Sequence, residues 1–401
     1  MEWLAIVGVL PWILILLTFV LGFREPRPLL PAPASGDPPV LSLPSVTIVV
    51  PARNEARNIA ACLESLAAQE YPDFSILVVD DRSTDGTGVR ARAIPPGNAR
   101  EIRVLDGEPL PSGWFGKPWA CHQGARASET DFILFTDADT FHTPSLLRRA
   151  VAGAGEDQAE ALSLKGWQVL ESIGERLVQP QIFALLGIRY RRLDRPIARE
   201  RSRDAIANGQ YILLERRAYE QVGGHGAVRG EVVEDLRIAQ VLTDAGFRLT
   251  LRGAEDGFST RMYHSLREVV DGWTKNLAVG ARQSLGGWAP LALPGILTFL
   301  LAFWVAPPVA LLGLLAEAAL GGSPSSALLA WAAGATALGL FFWILVYHRF
   351  GVSRLYALLF PLGASIGAWI VVRSWLRGER KVEWKGRRYA RGEAAQAEAE
   401  E

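Results

Sequence analysis

The sequence predicts an α/β fold with a mostly parallel sheet, carried between apolar segments long enough to cross a membrane. Three observations lead there. Short continuous apolar runs alternate with helical patterns from residue 46 onward, as in sheets buried on both faces. Polar clusters close several of those runs, and uncharged stretches of about 20 residues lie at both ends of the chain.

The first apolar stretch, WLAIVGVLPWILILLTFVLG (3–22), matches the length needed to span a hydrocarbon core of about 30 Å. APA at 32–34 resembles a signal-peptide cleavage site, but a basic leader is missing and the run is too long for one. A retained anchor is therefore expected. Arg24 and Arg27 follow it, which places the N-terminus outside and the following domain in the cytosol. A Pro-rich linker comes next. VTIVV (46–50), SILVVD (75–80), EIRVLD (101–106) and DFILFT (131–136) read as strands; 56–69 and 117–128 read as helices.

Three apolar runs near 291–318, 326–347 and 355–373 predict further spans. One N-terminal and three C-terminal crossings would put the basic tail outside, against its charge. Either a hairpin at Pro307-Pro308 or a re-entrant segment at Pro361 and Gly363 would resolve this. The expected organisation is an anchor (1–23), a linker (24–44), the α/β domain (45–258) and an amphipathic interfacial stretch (259–288). Transmembrane helices (289–375) and a basic then acidic tail (376–401) follow. In the interfacial stretch, Met262, Leu266, Val269, Trp273 and Leu277 recur at helical spacing; residues 177–190 are a second candidate for membrane contact.

Lysine plus arginine equals aspartate plus glutamate, 42 each, so no global charge points to nucleic acid. The basic blocks at 189–203 and 373–391 lie beside apolar runs and suit anionic headgroups. Two cysteines are too few for a disulfide framework or a structural zinc site. No GxGxxG or GxxxxGK[ST] loop is present, which argues against dehydrogenases and P-loop enzymes.

The strand ends carry Pro51-Ala52-Arg53-Asn54-Glu55, Asp80-Asp81-Arg82-Ser83-Thr84-Asp85 and Asp137-Ala138-Asp139. Any one could be ordinary turn or capping chemistry. Three on one edge of a parallel sheet, where ligands gather, point to a shared site. A diphosphate needs its charge neutralised, which a hard cation held by one or two carboxylates plus phosphate oxygens does. Lys117 could serve the same end, or be a solvated lysine at a helix start.

VTIVVPARNE (46–55), VVDDRSTDGT (78–87), TDADT (136–140) and VVEDLRIA (232–239) together resemble family-2 glycosyltransferases of the GT-A (Rossmann-like) fold. The resemblance implies that Pro51, Glu55 and Asp81 surround the nucleotide base and ribose; Arg53, Asp80 and Lys117 are further candidates for binding the nucleotide-sugar, Lys117 at its phosphates. It further implies that Asp137 contacts the nucleotide-sugar, that Asp139 holds Mg²⁺ or Mn²⁺, and that Asp235, paired with Glu234, is the catalytic base. Capping of the following helix is the plainer reading of Asp235. Segments 113–125, 208–225 and 261–276 are similar to carotenoid-type members, which implies a UDP- or GDP-sugar donor and a lipid acceptor. Gln210, His225 and Trp273 are the candidates for the acceptor, membrane-facing side, with a turn histidine the alternative at 225. The QxxRW motif of processive synthases is missing, which favours a single transfer. A polyprenyl-phosphate or ceramide-like acceptor is the alternative; a nucleotide-sensing membrane protein fits less well, because the spans hold almost no ionisable residues.

Overall fold

The structure, a computed structural model, describes residues 2–31, 43–197, 199–377, 382–384 and 387–389. Most of the Pro-rich linker and the acidic tail lie outside the described residues. The chain forms two compact units: an α/β unit with Glu25–Val169 and Leu193–Met262, and a helical unit with Met1–Arg24, Leu170–Arg192 and Tyr263–Gly378.

Helix α1 (Glu2–Gly22) comes first, then strands β1 (Arg27–Pro28) and β2 (Val46–Ala52), helix α2 (Ile59–Ala67) and β3 (Phe74–Asp80). Helix α3 (Thr87–Arg92), β4 (Ile102–Asp106), helix α4 (Gly116–Arg126) and β5 (Phe132–Thr136) continue the alternation. They are followed by β6 (Thr140–His142), helix α5 (Leu146–Asp157), β7 (Ala161–Lys165), β8 (Trp167–Gln168) and helix α6 (Ile173–Arg189). Next come β9 (Tyr211–Glu215), helices α7 (Arg216–Gln221) and α8 (Glu234–Asp244), β10 (Leu249–Gly253) and β11 (Phe258–Thr260). Helices α9 (Leu266–Leu285), α10 (Ala289–Phe299), α11 (Ala306–Ala319), α12 (Ser326–Arg349) and α13 (Phe360–Arg377) complete the helical unit. Strands Val382–Trp384 and Arg387–Tyr389 pair antiparallel.

The α/β unit is built on an eight-stranded sheet ordered β1-β10-β7-β9-β5-β2-β3-β4. All its pairings are parallel except those of β9, which runs antiparallel between β5 and β7. The four strands expected from the apolar runs are present as β2 to β5. Side chains alternate across the sheet, so each strand feeds two cores. Ile48, Val50, Leu134 and Leu213 pack on one face; Val49, Ile133, Phe135, Ile212 and Leu214 pack on the other. Full burial of such a side chain stabilises by about 1.5–3 kcal/mol each, and this two-faced burial fixes the register of the strand ends. A smaller sheet, β6-β11-β8, holds the chain that leaves β5.

In the helical unit, Ser172 and Glu175 form a capping box that starts α6. Residues 177–190 thus form most of one helix, and Leu170–Arg192 joins the helical unit although it lies within 45–258. Gln181 Nε2 donates to Tyr347 Oη (3.1 Å) and to the Phe360 carbonyl (3.2 Å), tying α6 to α12 and α13. Helix α9 begins at Leu266, after Met262, with Ser265 as its N-cap. Val269 and Trp273 of the expected stripe are buried, whereas Leu266 is exposed. Pro307-Pro308 does not turn the chain back into a hairpin. The helix continues through a π-helical turn at Leu300–Val305, a wider turn where the prolines withhold backbone N–H donors. Leu266–Ala319, Ser326–Arg349 and Arg354–Arg377 are long and apolar enough to cross a membrane; Gly8–Gly22 is a shorter apolar helix.

Candidate active site

The carboxyl ends of β2 and β3 are adjacent, and their loops are stitched together by side chains. Asn54 N donates to Ser83 Oγ (2.9 Å), Glu55 N to Thr87 Oγ1 (2.8 Å) and Ala56 N to Asp85 Oδ2 (2.9 Å). In return Thr84 N donates to Asn54 Oδ1 (2.9 Å). Asn54 and Arg82 are left-handed, with φ of 52° and 56°. This conformation costs an L-residue about 1–2 kcal/mol, which the cross-loop hydrogen bonds offset. Arg53 Nη1 donates to the Asp81 carbonyl (2.5 Å), and its guanidinium lies 4.0 Å from the Asp81 carboxylate. Asp81, Glu55 and Asp80 are buried, and Asp80 Oδ1 accepts from Ser83 N (3.1 Å). Pro51 is buried near the end of β2, opposite Val79. Sequence-predicted residues 51, 53, 55, 80 and 81 therefore come together on one edge.

The aspartate pair occupies the turn between β5 and β6, so it both ends one strand and begins another. Lys117, in the first turn of α4, reaches it from the side. Its Nζ lies 2.8 Å from Asp137 Oδ1 and 2.9 Å from Glu234 Oε1. Burial works against this ammonium, yet the carboxylates of Asp137, Glu234 and Asp235 hold its pKa well above that of a free lysine.

Glu234 and Asp235 open α8, whose N-cap position is Val233. Asp235 is therefore not the cap. Its Oδ1 accepts from Leu236 N (2.7 Å), and its Oδ2 accepts from Gly209 N across the site (2.8 Å). Burial, reinforced by the neighbouring Glu234 carboxylate, pushes Asp235 up to about 6, against the pull of Lys117 and the two backbone N–H groups. A carboxylate poised there can take a proton near neutral pH.

Gln210 does not face outward. Its Nε2 donates to Thr260 Oγ1 (3.2 Å), and Thr260 Oγ1 donates to the Asp139 carbonyl (3.3 Å). Its own carbonyl accepts from Thr136 Oγ1 (2.7 Å), so it braces the aspartate turn from behind. His142 sits in the same buried group, with Nε2 2.9 Å from Thr140 Oγ1. His225 is also interior. Its Nδ1 is 2.9 Å from Tyr219 Oη, its ring is 4.6 Å from that of Phe135, and burial lowers its pKa to about 3. It is a core histidine that fixes the Gly223-Gly224 turn. Trp273 belongs to the helical unit, packed with Val178, Ile182 and Ile370.

Sequence reasoning missed Gly209, Thr260 and His142. Gly209 is the most constrained, because a Cβ there would stand 2.7 Å from Asp235 Oδ2. The Asn208-Gly209 dipeptide signals a turn but not its partner. Gly209→Ala is expected to lower kcat/KM by about 10- to 100-fold through displacement of Asp235, on the scale of small misplacements in active sites. Steady-state kinetics beside a melting curve checks this; wild-type kcat/KM would remove Gly209 from the site.

Among the described residues no three His, Cys, Asp or Glu side chains converge into a metal cage. One or two carboxylates at a strand end suit a cation that keeps other positions for phosphate oxygens, so the donor set fits Mg²⁺ or Mn²⁺ arriving with a diphosphate.

Such an edge, with carboxylates at three strand ends and a lysine joining one of them to the Glu234 that opens α8, suits transfer from an activated phosphate ester. Residues 47–222 match the family model described as glycosyl transferase family 2. The chain carries a domain of that family on a GT-A fold and is a glycosyltransferase. It is similar to the 4,4'-diaponeurosporenoate glycosyltransferase of Staphylococcus aureus, 27% identical over 355 residues, which cover 86% of this chain and 88% of that protein. A mannosyltransferase from Pyrobaculum calidifontis, solved in complex with GDP-Man and Mn2+, shares the fold. Its TM-score is 0.54 at 19% identity, covering 94% of this chain and 98% of that one.

Proposed function

We propose that the protein is an inverting transferase that moves a single sugar from a UDP- or GDP-sugar to a membrane lipid, a carotenoid or related terpenoid. The observation that carries this reading is Lys117, which joins a carboxylate of the donor edge, Asp137, to the Glu234–Asp235 pair. One cation thus links the place where diphosphate charge develops to the place where an acceptor proton is taken. The similarity to a carotenoid glycosyltransferase supports the acceptor class, and the apolar helices support its delivery from a bilayer.

In this reading Pro51, Arg53, Glu55, Asp80 and Asp81 hold the nucleotide, and Asp137 with Lys117 holds the diphosphate sugar. Asp139 holds a divalent cation, Mg²⁺ or Mn²⁺, which supplies positive charge to the departing diphosphate. The acceptor oxygen attacks the anomeric carbon, the bond to the diphosphate breaks, and Asp235 takes the proton of a hydroxyl acceptor. Gln210 braces this site, while the apolar helices of 259–375 provide membrane contact, with Trp273 packed inside them. The catalytic unit faces the cytosol, as Arg24 and Arg27 after α1 favour.

The test is mass spectrometry of lipids from a carotenoid-producing host. Wild-type protein is expected to yield a lipid glycoside that Asp139→Ala does not, and a chelator is expected to silence the purified enzyme until Mg²⁺ or Mn²⁺ returns. Lipids unchanged by wild-type protein, or activity that persists in chelator, would overturn the reading.

A further inference from the structure

Four helix ends meet at one end of the helical unit, and each brings arginine. Helices α1 and α12 lie parallel: Trp331 Nε1 donates to the Gly8 carbonyl (3.3 Å), and fourteen or more residues further along each, Arg349 stacks 5.4 Å over the Phe23 ring. Phe23 also abuts Gly187 near the end of α6, where Arg24 N donates to the Arg191 carbonyl (2.8 Å). Arg189 Nη2 in turn donates to the Ser284 carbonyl at the end of α9 (2.9 Å). These contacts, with the backbone bridge between Arg24 and Arg192, gather Arg24, Arg189, Arg191, Arg192 and Arg349 into one collar; Arg282, in the last turn of α9, stacks 5.5 Å over the Trp375 ring. Residues 21–24, 186–192, 282–288 and 346–350 contain no acidic side chain.

Capping accounts for part of this, since a helix C-terminus attracts a cation and Arg189 meets one such carbonyl. Capping does not need all five of these arginines, and Arg24, Arg191, Arg192 and Arg349 are exposed. Exposed apolar side chains lie beside them: Leu21, Ile188 and Trp288, the last at 73% exposure. Guanidinium groups next to an exposed tryptophan and aliphatic surface fit the boundary between headgroups and hydrocarbon.

We propose that this collar docks the anionic phospholipid headgroups of the bilayer that surrounds the apolar helices. The planar guanidinium fork matches a phosphodiester through paired N–H donors, which makes arginine more selective here than a point charge. The collar gives the enzyme a preference for anionic leaflets. This inference rests on the proposed membrane contact and not on the transfer chemistry, so its test reads lipid rather than sugar.

The full chain is purified from detergent micelles containing equal phosphatidylglycerol and phosphatidylcholine, and the retained lipid is measured by mass spectrometry. Phosphatidylglycerol is expected in at least about fivefold excess, the factor that one basic side chain is worth at an anionic surface. The ratio is expected to fall toward unity in Arg24→Gln/Arg191→Gln/Arg192→Gln/Arg349→Gln, and part of the way in Arg191→Gln/Arg192→Gln, which is read if the fourfold variant does not fold. Equal retention by the wild-type chain overturns the proposal, as does an unchanged ratio in a folded variant. Displacement by millimolar inorganic phosphate also overturns it, because the collar would then be a site for soluble anions.

Discussion

Asp235→Asn is expected to lower transfer to an alcohol acceptor by about 10²–10⁴-fold, the usual contribution of a general base, and to leave transfer to a carboxylic acid acceptor far less affected. The asymmetry follows from the acceptors. A hydroxyl must lose its proton during attack, whereas a carboxylate is already ionised near neutral pH. The acid limb of kcat/KM for the alcohol is expected near pH 6, where Asp235 gives up its proton, and this limb is absent from the acid acceptor's profile. The stability effect has the opposite sign. Because the folded pKa is raised, Asp235 favours the folded state below pH of about 4, and that contribution is lost as pH rises through 6. At pH 8 the variant therefore escapes the cost of burying a charge, and this offsets the loss of one of the two backbone hydrogen bonds, since the Asn amide nitrogen cannot accept. Kinetics on both acceptors with a melting curve checks the pair, and full activity of the variant on an alcohol would refute the base assignment.

Lys117→Met carries the second large effect. It strips the shared cation from Asp137 and Glu234, which hold it at 2.8 and 2.9 Å. A loss of about 10- to 100-fold in kcat/KM is expected, on the scale of the ~1.5–3 kcal/mol of a hydrogen bond to a charged group. The acid limb should move above pH 6, because Lys117 is one of the groups pulling Asp235 down. A structural lysine would lower the melting temperature without moving the pH profile, so the profile is the deciding measurement.

Much of the donor edge was legible because it is local. Apolar runs of four to six residues ended in polar clusters, and the parallel register carried those clusters to one edge. The direction of β9 was not legible, since YILL reads the same whichever way the strand runs. Residues 117, 137 and 234 are far apart in the chain, so their meeting depends on packing that no spacing reports. The choice between the two readings of His225, acceptor side or turn, was open in the sequence for a related reason. A histidine after two glycines suits a turn of either kind, and the Tyr219 and Phe135 contacts show that this one folds inward.

The reversal of β9 has a consequence for how the enzyme can change. Thr136, the last residue of β5, stands opposite Tyr211, the first of β9. A parallel strand presents such an edge only with the loop that follows it; β9 presents the residues that lead into it, and with them the amide of Gly209. Asn208 is pinned just upstream, its backbone N–H on Ser163 Oγ (2.7 Å) and its side chain on the Leu164 carbonyl (2.8 Å). That anchorage works as a splice point. Sequence ahead of it can be lengthened or exchanged while the amide that steadies Asp235 stays in place.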